Sequence, residues 1–327
     1  MRILIASSIF PDAIQELRQQ HDVICAFNTS EAKLKALIKD REVLIFRSGV
    51  SISSAVMQSA PQLRLLIRAG SGTDNLDLDY VRKRGLRLER IPEPGAKAVA
   101  ELSFAFMLAL ARNLFQADRS LRQGRWTKYE LNGFLLTGKV LGIVGAGNIG
   151  SRVGRLGAAW GMQVLGCVEE PTPELAAWLA ARNIRLTDFD EVVSSADFLS
   201  LHVPLTDATK KMIGEEVFAR MKAGSYLINL ARGGVVDEQA LHTALTKGDR
   251  LLGAALDVHE CEGEGKVSPL ASLPNVILTP HIGAQTVDSQ REIGKRVLEI
   301  MDLFEADELE CEAKETELVS AAFGAAL

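Results

Sequence analysis

Cysteine and long apolar runs are both scarce in this sequence. The four cysteines, Cys25, Cys167, Cys261 and Cys311, are scattered and form no Cys-x-x-Cys pair. That argues against a metal site and for a reducing compartment. The longest largely apolar run, Leu102 to Ala111, is too short to cross a bilayer. The amino terminus runs straight into a strand-like Ile3-Leu-Ile-Ala, with no basic region and long apolar segment ahead of it. No signal peptide is therefore expected, and a cytoplasmic protein without a membrane partner is. Aromatic residues make up only 6% of the chain. No Lys/Arg cluster is interleaved with them, so nothing points to a nucleic-acid surface.

What is present is an ordinary globular composition, 47% hydrophobic and 24% charged, within the range of soluble domains. A chain of 327 residues has room for about two domains and a large core. The net charge of −5 is unevenly placed: Glu299 to Glu317 hold nine acids and one lysine, a local −8. This acidic end reads as a solvated helix and tail, disordered towards Leu327.

The stretch around which the chain is organised is Lys139-Val-Leu-Gly-Ile-Val-Gly145-Ala-Gly147-Asn-Ile-Gly150. An apolar run stops at Gly145 and a helical pattern begins near Asn148, the strand–Gly-x-Gly-x-x-Gly–helix arrangement of a dinucleotide fold. Gly145 permits the tight turn, Gly147 lets backbone approach a pyrophosphate, and Gly150 lets helix pack close to strand. The helix N-terminus then offers free N–H groups and a partial positive charge to phosphates.

Ahead of this motif, apolar strand candidates at 3–6, 23–27, 43–46, 63–67 and 86–89 alternate with helical patterns. In one of these, Ser30 is a suitable N-cap. Ile91-Pro-Glu-Pro-Gly95 breaks the pattern. A helix from about Lys97 to Ala117, apolar nearly all round, is expected to be buried and also to pack against a second subunit. Strands at 140–144, 163–168, 198–203, 226–229, 252–256 and 276–278 form a second alternating series. A final helix from about Ala284 to Phe304 is long enough to return to the first domain. Alternation of this kind predicts parallel strands with right-handed crossovers. The expected fold is α/β with two doubly wound parallel-sheet domains. A Rossmann dinucleotide-binding domain, residues 98–286, is inserted into a smaller flavodoxin-like substrate domain, residues 1–97 and 287–327. The cleft between them is the default ligand site.

Several strands end on side chains that can do chemistry. Asn229-Leu-Ala-Arg232-Gly-Gly-Val-Val-Asp237 puts a guanidinium at a strand's carboxyl end, where parallel sheets bind ligands and where it can fork onto a carboxylate. Asp237 reads as a helix cap rather than an acid catalyst. Leu278-Thr-Pro-His281-Ile-Gly283 puts an imidazole at another strand tip, the best acid/base candidate among five histidines. His21 and His242 read as surface residues and His202 as a satisfied turn residue, whereas His259 is harder to dismiss. In Asp257-Val-His-Glu260-Cys-Glu262, either Glu260 or Glu262 can pair with that imidazole, fix its tautomer and raise its pKa. Asp257 can instead hold a cofactor amide. In the first domain, Gly70-Ser-Gly72-Thr-Asp-Asn and Arg47-Ser-Gly49 read as two strand-end loops suited to a carboxylate or phosphate. Arg47, Arg68 and Lys128 are the cations available by position. Glu169 lies 19 residues past Gly150 and is followed by a second acid, Glu170. An acid there fits ribose hydroxyls and repels a 2′-phosphate, which favours NAD over NADP.

Together these pieces resemble the D-isomer-specific 2-hydroxyacid dehydrogenases from Arg47 to Thr286. The most specific parts are Gly145-Ala-Gly-Asn-Ile-Gly150, Leu201-His-Val-Pro-Leu-Thr206, Asn229 to Asp237 and Pro280-His-Ile-Gly-Ala284. Gly124-Arg-Trp126, Arg47-Ser-Gly and Arg68-Ala-Gly-Ser-Gly look most like the D-3-phosphoglycerate dehydrogenases of that family. No carboxy-terminal regulatory domain follows, which suggests a short form. The resemblance implies an NAD-dependent, cytoplasmic homodimer acting on a small 2-hydroxy or 2-keto acid. It makes Arg232 the binder of the substrate carboxylate and keto oxygen, His281 the proton donor and acceptor, Glu262 its partner and Asp257 the holder of the nicotinamide amide. Backbone at Ser48, Gly49, Ser71 and Gly72, beside Arg47, would hold the substrate carboxylate. The cofactor would further meet Gly145, Gly147, Asn148 and Ile149, then His202, Val203 and Pro204, and finally Ala231 and Gly283. The chain departs from the family pattern at Gly263, where Pro is usual, at His259, where an aromatic is usual, and at Val168, where the NAD form has Asp. A non-catalytic, corepressor-like dinucleotide sensor and formate or phosphite oxidation are the competing readings.

Overall fold

Short segments, most of them rich in Val, Ile and Leu, become the strands of two wholly parallel sheets. The structure is a computed structural model that describes residues 1–248 and 250–324, with side chains 311–324 excepted. The acidic tail near Leu327 and the thiol of Cys311 therefore lie outside the described residues. The chain divides into two units, Met1–Pro94 with Thr286–Leu327, and Gly95–Gln285.

The smaller unit carries strands β1 (Arg2–Ile5), β2 (Asp22–Cys25), β3 (Val43–Phe46), β4 (Leu65–Arg68) and β5 (Arg87–Arg90). Between them run helices α1 (Pro11–Gln20), α2 (Glu31–Leu37), α3 (Ser54–Gln58) and α4 (Leu78–Arg84). Its sheet order, β2-β1-β3-β4-β5, is the flavodoxin-like one, with a switch point between β1 and β3. Alternate side chains serve opposite faces. Ile3, Ile5, Val43, Ile45, Leu65 and Ile67 pack on α1 and the last helix, while Leu4, Leu44, Phe46 and Leu66 pack on the other side.

In the larger unit, α5 (Glu93–Ala111) and α6 (Leu114–Arg122) precede β6 (Val140–Val144), α7 (Asn148–Ala159), β7 (Gln163–Cys167), α8 (Pro173–Ala180) and β8 (Arg185–Leu186). Then come α9 (Phe189–Ser195), β9 (Phe198–Leu201), α10 (Glu215–Arg220), β10 (Ser225–Asn229), α11 (Glu238–Lys247), β11 (Leu251–Leu256) and β12 (Val276–Leu278), before α12 (Val287–Gly324) ends the described chain. The order β12-β11-β10-β9-β6-β7-β8 reverses direction between β6 and β9, the switch point of a dinucleotide fold. One face packs Leu141, Ile143, Phe198, Ile228 and Ala255 against α5, and the other packs Leu199, Leu201, Leu227, Ala254 and Leu256.

Both bounds of α5 and the setting of the acidic stretch differ from expectation. Helix α5 begins at Glu93, inside the Pro/Gly stretch read as a break, because a proline in the first helical turn loses no hydrogen bond. It ends at Ala111, where Asn113 takes a left-handed φ of 51° and α6 starts afresh. By length and composition α5 could cross a membrane, yet Val99, Phe104, Phe106, Met107 and Leu110 are buried in the core. The acidic stretch is not merely solvated: Asp307 takes an ion pair from Arg87 at 2.6 Å and Glu308 one from Arg64. Both guanidinium groups also lie over the Phe304 ring, and Phe304 continues the buried stripe of Ile293, Val297, Ile300 and Met301 along α12.

The start of α12 is fastened by Ser289, which is buried; its hydroxyl donates to the Pro94 carbonyl at 2.9 Å and accepts from Thr286 Oγ1 at 2.8 Å. Ser289→Ala removes both bonds, and a loss of about 1–3 kcal/mol in urea denaturation is expected; unchanged stability would show them to be dispensable.

Candidate active site

The first constellation sits at the β6/β9 switch point. Gly145 has φ 92°, a region open to glycine. A Cβ on it would lie 2.8 Å from the His202 carbonyl carbon, and one on Gly150 would lie 2.3 Å from the Gly145 oxygen. Strand, helix and neighbouring strand can approach this closely only without side chains there. Gly147, the N-cap of α7, is different: nothing lies within 4 Å of its Cβ position, and no side chain caps the helix. The first-turn amides therefore face open space, with Asn148 and Ile149 in that turn. His202 bonds Ser200 Oγ through Nε2 at 2.9 Å, while its Nδ1 is enclosed without a partner. Burial pushes its pKa down to about 3, so the ring is neutral, and it is not the fully satisfied turn residue expected. Val203, half-buried, and Pro204, exposed, follow it. Glu169 and Glu170 are exposed just past β7, the strand beside β6. Open glycine, bare helix N-terminus, orphaned imidazole nitrogen and flanking acids fit a dinucleotide.

The second constellation lies at the carboxyl ends of β10, β11 and β12, which are neighbours in the same sheet. Asp257, 2% exposed, accepts from Ile282 N at 2.8 Å, Thr279 Oγ1 at 2.6 Å and Gly283 N at 2.7 Å. Its carbonyl takes the His281 N–H at 2.7 Å. These bonds hold His281 at a left-handed φ of 55°, uncommon for a residue with a side chain. A Cβ on Gly283 would lie 2.9 Å from Asp257 Oδ2. The His281 Nδ1 proton points to Glu262 Oε2 at 2.9 Å, since a carboxylate only accepts. Burial would raise the Glu262 pKa, but its bond to and charge pairing with His281, and the His259 amide, outweigh that and hold it below the usual carboxylate value.

Glu260, the other candidate, turns away from His281. Its amide donates to Glu238 Oε1 at 2.7 Å, and its own carboxylate accepts from Glu238 N at 3.0 Å. Asp237 caps α11 as expected, accepting from Gln239 N and Ala240 N. Arg232 is half-buried past β10 and donates to the Ala231 carbonyl at 2.7 Å. Ala231 N is held by Asn229 Oδ1 at 3.0 Å. A Cβ on the next residue, Gly233, would lie 1.8 Å from the His259 carbonyl oxygen, so the Arg232 loop lies directly against the loop of Glu262. Thr279, Glu238 and Asn229 were not picked out from sequence. Their only signal is a polar side chain at a strand or helix end.

In the smaller unit, the loops after β3 and β4 meet. Asn75 Nδ2 bonds the carbonyls of Arg47 and Val50, Arg47 N donates to Ser7 Oγ at 3.0 Å, and Ser48, Gly49 and Ser71 are exposed. Arg68 is not presented there as a ligand cation: it is buried, lies over the Phe46 ring and donates to the Gly72 carbonyl at 2.7 Å. Burial also lowers the Arg47 pKa. Lys128 lies over the Tyr129 ring.

Residues 104–283 match the sequence profile of the D-isomer specific 2-hydroxyacid dehydrogenase, NAD binding domain. The D-3-phosphoglycerate dehydrogenase of Methanocaldococcus jannaschii is 39% identical over 299 residues, covering 91% of this chain and 56% of that protein. A hydroxypyruvate reductase of Thermotoga maritima is 35% identical over 301 residues, covering 91% of this chain and 96% of that protein. Among solved structures, the D-lactate dehydrogenase of Aquifex aeolicus, complexed with NAD and lactic acid, aligns with a TM-score of 0.83 at 31% identity, covering 94% of this chain and 97% of that one. The chain spans about half the length of the phosphoglycerate dehydrogenases it matches, 56% of the Methanocaldococcus protein and 47% of one from Arabidopsis thaliana.

The two glycine environments make separable predictions. Gly147→Ala should keep the thermal midpoint while weakening NADH binding, read by fluorescence titration, roughly tenfold or more, because its methyl group fills only the approach to the pyrophosphate. Gly150→Ala should lower the midpoint itself, since its methyl group meets backbone. Wild-type NADH affinity in Gly147→Ala would mean that the glycine turn does not carry the nucleotide.

Proposed function

The chain belongs to the D-isomer specific 2-hydroxyacid dehydrogenase family, and on that premise we propose that it transfers a hydride between NAD and C2 of a small D-2-hydroxy or 2-keto acid. The observation that carries the proposal is the 2.9 Å contact between Glu262 and His281 on a turn pinned by Asp257. Binding alone has no need of an oriented imidazole–carboxylate pair, so turnover is favoured over a sensing role.

NAD supplies the two-electron acceptor or donor when bound. As the C2 hydroxyl becomes a carbonyl, His281 Nε2 takes the hydroxyl proton, and it returns that proton on reduction. Glu262 keeps the Nδ1 proton in place and stabilises the imidazolium that forms. Because the Glu262 pKa is depressed, the pair is complete above the usual carboxylate range and is lost only on acidification through the lower folded value. Arg232 forks onto the substrate carboxylate and keto oxygen; within the smaller unit, backbone at Ser48, Gly49, Ser71 and Gly72, with Arg47, offers donors suited to a carboxylate. Asp257 uses three acceptor positions on its own turn, which leaves one for a nicotinamide amide. Glu169 and Glu170 favour NAD over NADP by repelling a 2′-phosphate. A phosphorylated substrate such as 3-phosphoglycerate is supported by the relatives' names rather than by a free cation in the site.

The proposed assembly is a homodimer in the cytoplasm, in keeping with the free thiols of Cys25, Cys167 and Cys261. Its supporting surface is not α5, whose apolar side chains are largely internal. It lies on α6 and the segment after it, where Leu121, Trp126, Tyr129 and Leu135 are each at least 60% exposed. So much large apolar surface in one stretch marks an association site.

Following NADH and NADPH absorbance with 3-phosphoglycerate, hydroxypyruvate, glyoxylate, D-lactate, formate and phosphite tests the chemistry. At least one 2-hydroxy or 2-keto acid should turn over, with NAD preferred, and His281→Ala should lower kcat roughly 100-fold or more. Turnover of none, or full activity in His281→Ala, rejects it. For the assembly, sedimentation should give a dimer that Leu121→Asp converts to monomer; a monomeric wild type at micromolar concentration rejects it.

A further inference from the structure

His259 takes no part in the proton transfer described above, yet it touches both segments that perform it. Its amide donates to Glu262 Oε1 at 3.2 Å, and its ring Nε2 meets the Thr279 carbonyl at 2.9 Å. A carbonyl only accepts, so Nε2 carries the proton. The other ring nitrogen, Nδ1, is enclosed with no hydrogen-bond partner. An unpaired buried polar atom is costly, and an apolar ring would fill the same space without that cost. What an imidazole adds here is the bond to Thr279.

We infer that His259 is a positioning residue for the Glu262–His281 pair, tying the loop that carries the carboxylate to the segment that delivers the imidazole.

The pair needs such a tie. Its side chains are 41% and 31% exposed, and an ion pair so open to water gains little unless its geometry is imposed. Beyond Glu262 the backbone imposes little: Gly263 has φ 120° with nothing within 4 Å of its Cβ position, and Gly265 has φ 72°. Restraint must come from the other side. Part of it is the Glu238 carboxylate, 3% exposed, which accepts from Glu260 N at 2.7 Å and Ser268 Oγ at 2.9 Å. That clamp fastens the loop to α11, not to His281. The bond from His259 fastens it to Thr279, two residues before His281, and Thr279 is itself bonded to Asp257. The carboxylate of Glu262 is thereby held between the His259 amide on Oε1 and the His281 ring on Oε2.

The test uses the full chain and reads Glu262 directly. Its carboxylate carbon is titrated by NMR, with assignment from Glu262→Gln, in wild type, His259→Phe, His259→Asn and His259→Gln. Phenylalanine removes the donor and asparagine is too short to reach Thr279, whereas the glutamine amide can still donate. The Glu262 midpoint should rise towards the ordinary carboxylate value in the Phe and Asn variants and stay near wild type in the Gln variant. The kinetic arm rests on the dehydrogenase reading: kcat should fall roughly 5- to 20-fold in the Phe and Asn variants, about the worth of one hydrogen bond, with the KM for NADH unchanged. A wild-type Glu262 midpoint in both the Phe and Asn variants, or a Gln variant displaced as far as they are, overturns the inference. The titration needs no turnover, so its failure is distinguishable from failure of the dehydrogenase reading.

Discussion

One buried carboxylate holds the carboxyl ends of β10, β11 and β12 in shape. Asp257 would be costly in the interior unpaired, but three donors from residues 279–283 converge on it. In return it fixes a turn that the backbone would not choose. His281 stays at a left-handed φ because its own amide, the two amides after it and the Thr279 hydroxyl are all committed to Asp257. The Asp257 amide donates in turn to the Asn229 carbonyl at 3.0 Å. The exits of β10, β11 and β12 are thus one bonded platform, and Arg232, Glu262 and His281 stand on it.

The other end of the same sheet reaches a comparable rigidity by omission. At Gly145 and Gly150 the absence of a side chain lets strand, helix and the His202 backbone close to distances no Cβ would permit. Gly233 repeats the device on the platform, against the His259 carbonyl. Since β6 and β9 adjoin β10 and β11 in one parallel sheet, both constellations emerge along a single carboxyl edge. That common edge is where open α/β sheets bind ligands, and the spacing between the two is set by strands rather than by flexible loops.

Much of this was readable in the sequence, for identifiable reasons. Strands such as β3, β6 and β12 are unbroken apolar runs with polar or glycine ends, so their bounds follow from pattern alone. β8 is two residues, Arg185 and Leu186, too short for any period to register. The helix through Pro94 and Gly95 was hidden because residues that stop a helix elsewhere are tolerated in its first turn. Glu260 and Glu262 sit two apart in an irregular loop, where no periodicity says which one faces His281. Long-range bonds decided it, with Glu238 taking the first and His281 the second. The pairing of Asp307 and Glu308 with Arg87 and Arg64 was invisible for the same reason: an acid in a charge-rich stretch looks solvated until the fold brings it a cation.

The distribution of charge along the carboxyl edge has its own logic. His202 stands beside the glycine turn but stays neutral, since burial takes its pKa to about 3, so it adds no positive charge there. A pyrophosphate at that turn would meet backbone amides and the α7 dipole, with the Arg152 guanidinium beside them at 3.2 Å from Asn148 Oδ1. Such recognition depends on shape and is insensitive to pH near neutrality. On the proposed reading the exposed acids past β7 would work in the opposite sense, by repulsion. A pocket that attracts phosphate with fixed dipoles, while facing carboxylates one strand away, would accept two phosphates along the glycine turn and disfavour a third at the ribose. On the proposed reading, discrimination between the two nicotinamide nucleotides would then need no dedicated contact to either; it would follow from which strand end carries the acids.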